Sequence, residues 1–128
     1  MPAVSKKIAI IDDDPLILDL YLRKFKDRDY EVLAMNDHTF SMEQFLAFSP
    51  SMILLDINMP TRYGLDVLEE MKKAFEKLPY VILLTNNDDQ TLAEKGKILG
   101  ARDYIVKVSK TPTEITDIVD EALMAEQL

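Results

Sequence analysis

Cysteine is absent from this chain, which excludes disulfides, thiol catalysis and thiolate metal sites. Histidine is nearly absent: a lone His38 argues against zinc catalysis and against any Ser-His-Asp arrangement. Positive charge is scarce too. With 15 Lys and Arg against 23 Asp and Glu, the net charge is -8. That is the wrong sign for non-specific binding to nucleic-acid phosphates. No apolar run approaches the roughly 20 residues of a membrane-spanning helix. The opening Met1-Pro2-Ala3-Val4-Ser5-Lys6-Lys7 lacks the apolar centre of a signal peptide. A soluble, cytoplasmic protein with no nucleic-acid or membrane partner is expected. The length of 128 residues fits one domain, 1–128, with a substantial core.

What is present is organised around Ile53-Leu54-Leu55-Asp56-Ile57-Asn58-Met59-Pro60. A short apolar run, bounded by Pro50-Ser51 and Pro60, reads as a strand buried on both faces. Such a strand delivers its last residue, Asp56, to the carboxyl edge of a parallel sheet, where open α/β folds bind their ligands.

The remaining segments alternate in the same way. Ile8-Ala9-Ile10-Ile11 is a strand that ends in Asp12-Asp13-Asp14-Pro15. Asp14 and Pro15 form a helix start, with an N-cap acceptor and a proline at the first helical position. Leu18, Tyr21, Leu22 and Phe25 then recur at helical spacing. Tyr30 to Met35 reads as a strand near a sheet edge, and His38 to Phe48 as a second helix. A third helix carries Leu65, Leu68, Met71 and Phe75 on one face and stops at Pro79. Tyr80-Val81-Ile82-Leu83-Leu84 is another buried strand and ends in Thr85. The next helix turns Leu92 and Leu99 inward and is capped by Gly100. Gly96 in its middle should weaken it by about 1 kcal/mol against alanine. Tyr104-Ile105-Val106 leads to Lys107, and Thr111-Pro112-Thr113-Glu114 has capping-box spacing ahead of the last helix. Five strand–helix alternations imply right-handed βαβ units and a doubly wound parallel sheet covered on both faces.

Four strands thus end in polar residues: Asp12-Asp13, Asp56, Thr85 and Lys107. In a parallel sheet these ends share one edge. Crowded carboxylates raise one another's pKa unless a cation neutralises them. Hard oxygen ligands with room for water suit Mg²⁺, and a carboxylate held there can act as a nucleophile toward phosphorus. Alone, each residue has a bland reading: Asp56 as a turn residue, Asp12 to Asp14 as a cap and solvated run. The joint pattern at one edge favours chemistry. His38 reads as solvated.

The motifs Ile10-Ile11-Asp12-Asp13-Asp14-Pro15, Leu54-Leu55-Asp56-Ile57-Asn58-Met59-Pro60 with Gly64, Leu84-Thr85, Gly100-Ala101 and Asp103-Tyr104-Ile105-Val106-Lys107 carry a family resemblance. In this order and spacing, the chain resembles a receiver domain of the bacterial two-component response regulators, of the single-domain chemotaxis type. The likeness runs from about Lys7 to Leu123. It implies a flavodoxin-like (βα)5 fold with strand order 2-1-3-4-5. It also implies Mg-dependent phosphoryl transfer from a histidine kinase or phosphotransfer protein to Asp56. By the same resemblance, Asp13, Asp56 and the backbone carbonyl of Asn58 hold Mg²⁺, with Asp12 acting through water. Thr85 and Lys107 contact the phosphoryl oxygens, and Thr85 and Tyr104 form the switch. Because the Gly96-weakened fourth helix has low local stability and is a natural moving element, its face with the fifth strand and fifth helix is expected to meet a downstream protein. No output domain is expected, and the protein is a signalling phosphoacceptor rather than an enzyme.

Three positions depart from the family pattern. Val108 stands where a proline usually follows the lysine, so a trans bond is expected there. Asn86 is larger than the usual small residue after the threonine, and Tyr63 replaces an acidic or polar residue. An alternative is a receiver-like interaction domain that acts independently of phosphorylation. A phosphatase of the haloacid dehalogenase type is disfavoured, because Asn58 stands where its acid would be. A flavodoxin is disfavoured because the first strand leads to three aspartates instead of a phosphate-cradling loop.

Overall fold

The computed structural model describes residues 6–126. Five parallel strands form one sheet in the order β2-β1-β3-β4-β5: β1 Lys7–Ile11, β2 Glu31–Met35, β3 Met52–Asp56, β4 Tyr80–Thr85 and β5 Asp103–Val106. The connecting helices are α1 Pro15–Lys26, α2 Met42–Phe48, α3 Gly64–Ala74, α4 Gln90–Ile98 and α5 Pro112–Glu126. This is the doubly wound fold and strand order expected from the resemblance. Among the described residues, no helix is long and apolar enough to cross a membrane.

Strand periodicity divides the core into two layers. In the three central strands β1, β3 and β4, alternate residues Ala9, Ile11, Ile53, Leu55, Val81 and Leu83 face Phe45 of α2, Leu68 and Met71 of α3, and Leu92 of α4. The intervening Ile8, Ile10, Met52, Leu54, Ile82 and Leu84 face Tyr21 and Phe25 of α1 and Ile115, Val119 and Leu123 of α5. Both faces of these strands are therefore buried, which is why their sequences read as unbroken apolar runs.

Several boundaries differ from the sequence reading. The segment expected to be helical from His38 begins its helix only at Met42. Asn36 captures the N–H groups of His38 and Thr39, each at 2.8 Å, and holds a turn there instead. Ser41 then caps α2 by accepting the Gln44 N–H at 3.3 Å. Helix α3 ends at Ala74, well before Pro79, because Phe75 already takes extended backbone while its ring still packs on the core. Leu92 and Leu99 are only half-buried. Gly96 is the buried residue of α4, and a Cβ there would lie 2.3 Å from Leu83 Cδ1. The glycine lets α4 lie close on β4, a role the helical period alone did not reveal. The capping box of α5 is formed, with reciprocal bonds between Thr111 and Glu114 at 3.0 and 3.1 Å.

Candidate functional site

Sheet register builds the site. Ile11 pairs with Leu55, so Asp12 and Asp56, the next residue on each strand, stand side by side. Asp56 pairs with Leu84 and Thr85 with Val106, which sets Thr85 and Lys107 at the same edge, beyond Asp56.

The three aspartates after β1 divide their tasks. Asp14 caps α1, accepting the Leu16 N–H at 2.9 Å. Asp12 is 1 % exposed; it accepts the Asp14 N–H at 3.0 Å and the Lys107 ammonium at 2.9 Å. Asp13 is half-buried, at the mouth. Asp56 is as buried as Asp12. One of its oxygens accepts the Asn58 N–H at 3.0 Å and the other lies 3.3 Å from Lys107 Nζ. One oxygen from each of Asp12, Asp13 and Asp56 falls within 4.8 Å of the others.

Electrostatics follow from this crowding. Burial, and then the charge of Asp12, push the Asp56 carboxyl up to about 7, although Lys107 and the Asn58 N–H pull the other way. Burial alone would pull the Lys107 ammonium down. The hydrogen bond and charge of Asp12, joined by Asp56, outweigh it and hold the ammonium above its ordinary value. Three carboxylates against one ammonium leave a surplus of negative charge on hard oxygen donors. Because Asp13 is half-exposed, water can complete a coordination shell. The donor set fits a hard divalent cation.

The loop from β3 to α3 is tightly folded beside these groups. Asn58 and Tyr63 form an antiparallel bridge, and the Gly64 N–H reaches the Ile57 carbonyl at 3.0 Å. A Cβ on Gly64 would stand 2.5 Å from both the Asp56 carbonyl oxygen and Ile57 Cα. Only glycine lets α3 begin so close to the back of Asp56.

On the β4 side, the Asn58 side-chain oxygen accepts the Asn86 N–H at 2.8 Å and lies 3.2 Å from the Thr85 hydroxyl. That hydroxyl also lies 3.2 Å from the Asn87 carbonyl, so its single proton serves one or the other. The Tyr104 hydroxyl accepts the Asp89 N–H at 3.2 Å and has the carbonyls of Asn87 and Asp89 at 3.0 and 3.2 Å. Thr85 and Tyr104 are thus engaged with the loop between β4 and α4, whereas Asp12, Asp13, Asp56 and Lys107 form the charged cluster. Val108 is exposed in a 3-10 turn, Lys107–Ser109, with its preceding bond trans, and the turn still delivers the ammonium to both buried carboxylates.

Sequence reasoning missed the Asn58 side chain, which it weighed only as a backbone ligand and as a non-acid. It also passed over Asp37, a buried carboxylate within the polar run Asn36 to Thr39 that looks like any solvated loop. No sequence signal marks that burial.

A family model described as the response regulator receiver domain matches residues 8–120. Among solved structures, the chain is similar to a CheY-like response regulator receiver domain protein from Methanospirillum hungatei, with 25% identity and a TM-score of 0.79. That match covers 95% of this chain and 96% of that one. The chemotaxis protein CheY4 of Vibrio cholerae matches at 22% identity and TM-score 0.80, over 90% of this chain and 96% of its own. The response regulator DrrB of Thermotoga maritima matches at 29% identity and TM-score 0.75, over 94% of this chain but 53% of its own.

Proposed function

Given that the chain belongs to the response regulator receiver domain family, we propose that Asp56 is a phosphoacceptor in two-component signalling. The donor is a phosphohistidine on a histidine kinase or a phosphotransfer protein. A carboxylate oxygen of Asp56 forms the new bond to phosphorus as the P–N bond breaks. The electron pair of that bond stays on the imidazole nitrogen, which is left neutral or takes a proton from water. The observation that carries this reading is the meeting of Asp12, Asp13, Asp56 and Lys107 within one small volume.

Asp13, Asp56 and the Asn58 carbonyl hold Mg²⁺ in this reading, with Asp12 acting through water. When bound, Mg²⁺ offsets the charge of the carboxylates and of the incoming phosphoryl oxygens. Lys107 donates to one phosphoryl oxygen, and its flexible stem lets it leave Asp56 as the group arrives. Thr85 donates to another, giving up its place near Asn58 and Asn87 for a charge-assisted bond. Tyr104, bonded to the same loop, then repacks, and the face of α4, β5 and α5 presents a changed surface to a downstream protein. The acidic charge of the chain fits a protein partner better than nucleic acid.

Incubation with acetyl phosphate and Mg²⁺ should add one phosphoryl group, read by intact mass. Labelling that persists in Asp56→Asn, or proceeds equally in excess chelator, would overturn the reading. Efficient partner binding by Asp56→Asn would favour an interaction domain that ignores phosphorylation.

A further inference from the structure

A buried carboxylate outside the charged cluster joins two loops of the same sheet edge. Asp37 follows β2 and is 6 % exposed, although its neighbours His38 and Thr39 are exposed. One of its oxygens accepts the Thr61 hydroxyl at 2.6 Å and the Thr61 N–H at 3.2 Å. Its backbone carbonyl accepts Arg62 Nε at 3.2 Å, and the Arg62 guanidinium lies over the Phe40 ring at 5.4 Å. The His38 imidazole, at 4.0 Å, is largely exposed and beyond hydrogen-bond reach.

Both ends of this contact are held. The turn before it is closed by Asn36, which accepts from His38 and Thr39 and donates its own N–H to Thr39 Oγ1 at 2.9 Å. The loop after β3 is pinned on its other side by the Asn58 side chain, against Asn86 and Thr85 at the end of β4. The two pinned residues, Asn58 and Thr61, are three positions apart, with only Met59 and Pro60 between them. The loop is therefore held across the carboxyl edge from the β2 side to the β4 side, with the Asn58 backbone at one end of the held stretch.

A buried carboxylate is a costly way to fill space, since it must be matched by donors. It offers direction in return: charge-assisted bonds to a backbone N–H and a hydroxyl fix where Thr61 stands, which an apolar contact would not. We propose that Asp37 is a positioning residue for the metal site, holding the Asn58 carbonyl in place through Thr61. This rests on the reading that Asp13, Asp56 and the Asn58 carbonyl bind Mg²⁺.

The test compares Asp37→Ala, Asp37→Asn and Thr61→Val with the unsubstituted protein, using calorimetric Mg²⁺ titration and hydrogen exchange at residues 58–62. Asp37→Ala should raise the Mg²⁺ Kd about tenfold, the scale on which groups that orient metal ligands act. It should also speed exchange at the Thr61 amide in metal-free protein. Asp37→Asn keeps an acceptor oxygen and should restore most of the affinity. Labelling by acetyl phosphate should be slow in Asp37→Ala at low Mg²⁺ and recover at saturating Mg²⁺, a split that general loss of structure would not give. A folded Asp37→Ala that binds Mg²⁺ within about twofold of the unsubstituted protein would overturn the proposal. Should that variant not fold, unchanged Mg²⁺ affinity in Thr61→Val overturns it instead. Failure of the phosphoacceptor reading shows separately, as an unsubstituted protein that binds Mg²⁺ but takes no phosphoryl group on Asp56.

Discussion

The hydroxyls of Thr85 and Tyr104 reach the same acceptor, the Asn87 carbonyl, at 3.2 and 3.0 Å. Through that oxygen, each can change what the other finds. If Thr85 turns its proton toward a phosphoryl oxygen, the carbonyl is left to Tyr104 alone. The loop between β4 and α4 is thus a shared element that two side chains bias.

That sharing has a measurable consequence in the unphosphorylated protein. Thr85→Val and Tyr104→Phe should each cost about 1 kcal/mol, the usual net worth of a hydrogen bond. The double variant should deviate from their sum by roughly 0.5–1 kcal/mol, as for residues in one hydrogen-bond network. Urea denaturation of the four proteins measures the deviation. Strict additivity would mean that the carbonyl does not couple them.

Asp56 predicts a pH dependence for the metal-free protein. Its folded pKa of about 7, raised by burial and then by Asp12, lies above the ordinary carboxylate value of 3.8. Between these values the folded protein keeps a proton that the unfolded chain has released. Stability therefore falls as pH rises through that window, and this contribution is flat above it. Asp56→Asn removes the effect. In chelator, the variant's Tm advantage should widen from about pH 5 to about pH 8, reaching roughly 5 °C or more. Added Mg²⁺ should narrow the gap by stabilising the unsubstituted protein. A gap of equal size at both pH values would contradict the assignment.

Gly96 offers a test of packing against propensity. Helix propensity alone predicts that Gly96→Ala stabilises by about 1 kcal/mol. The added methyl would meet the fully buried Leu83, whose Cδ1 lies 2.3 Å from the position a Cβ would take. Overpacking there should cost about 1–3 kcal/mol, cancelling or reversing the gain. Denaturant midpoints decide between them, and a clear stabilisation would show that Leu83 yields freely.

The alternation of elements, the sheet and the edge at which Asp12, Asp56, Thr85 and Lys107 meet follow from the order of residue types along the chain. These are consequences of short-range pattern: unbroken apolar runs, caps such as Asp14-Pro15 and Thr111-Glu114, and polar residues at strand ends. Given βαβ handedness, the pattern leaves few ways to arrange the strands. Other features depend on which loops come to lie against each other in the folded chain. The commitment of the Asn58 side chain to β4, the burial of Asp37 against Thr61 and the flush seating of Gly96 on Leu83 all join residues more than ten positions apart. Nothing local distinguishes Asp37 from a solvated loop aspartate, because its burial is imposed by a partner 24 residues away.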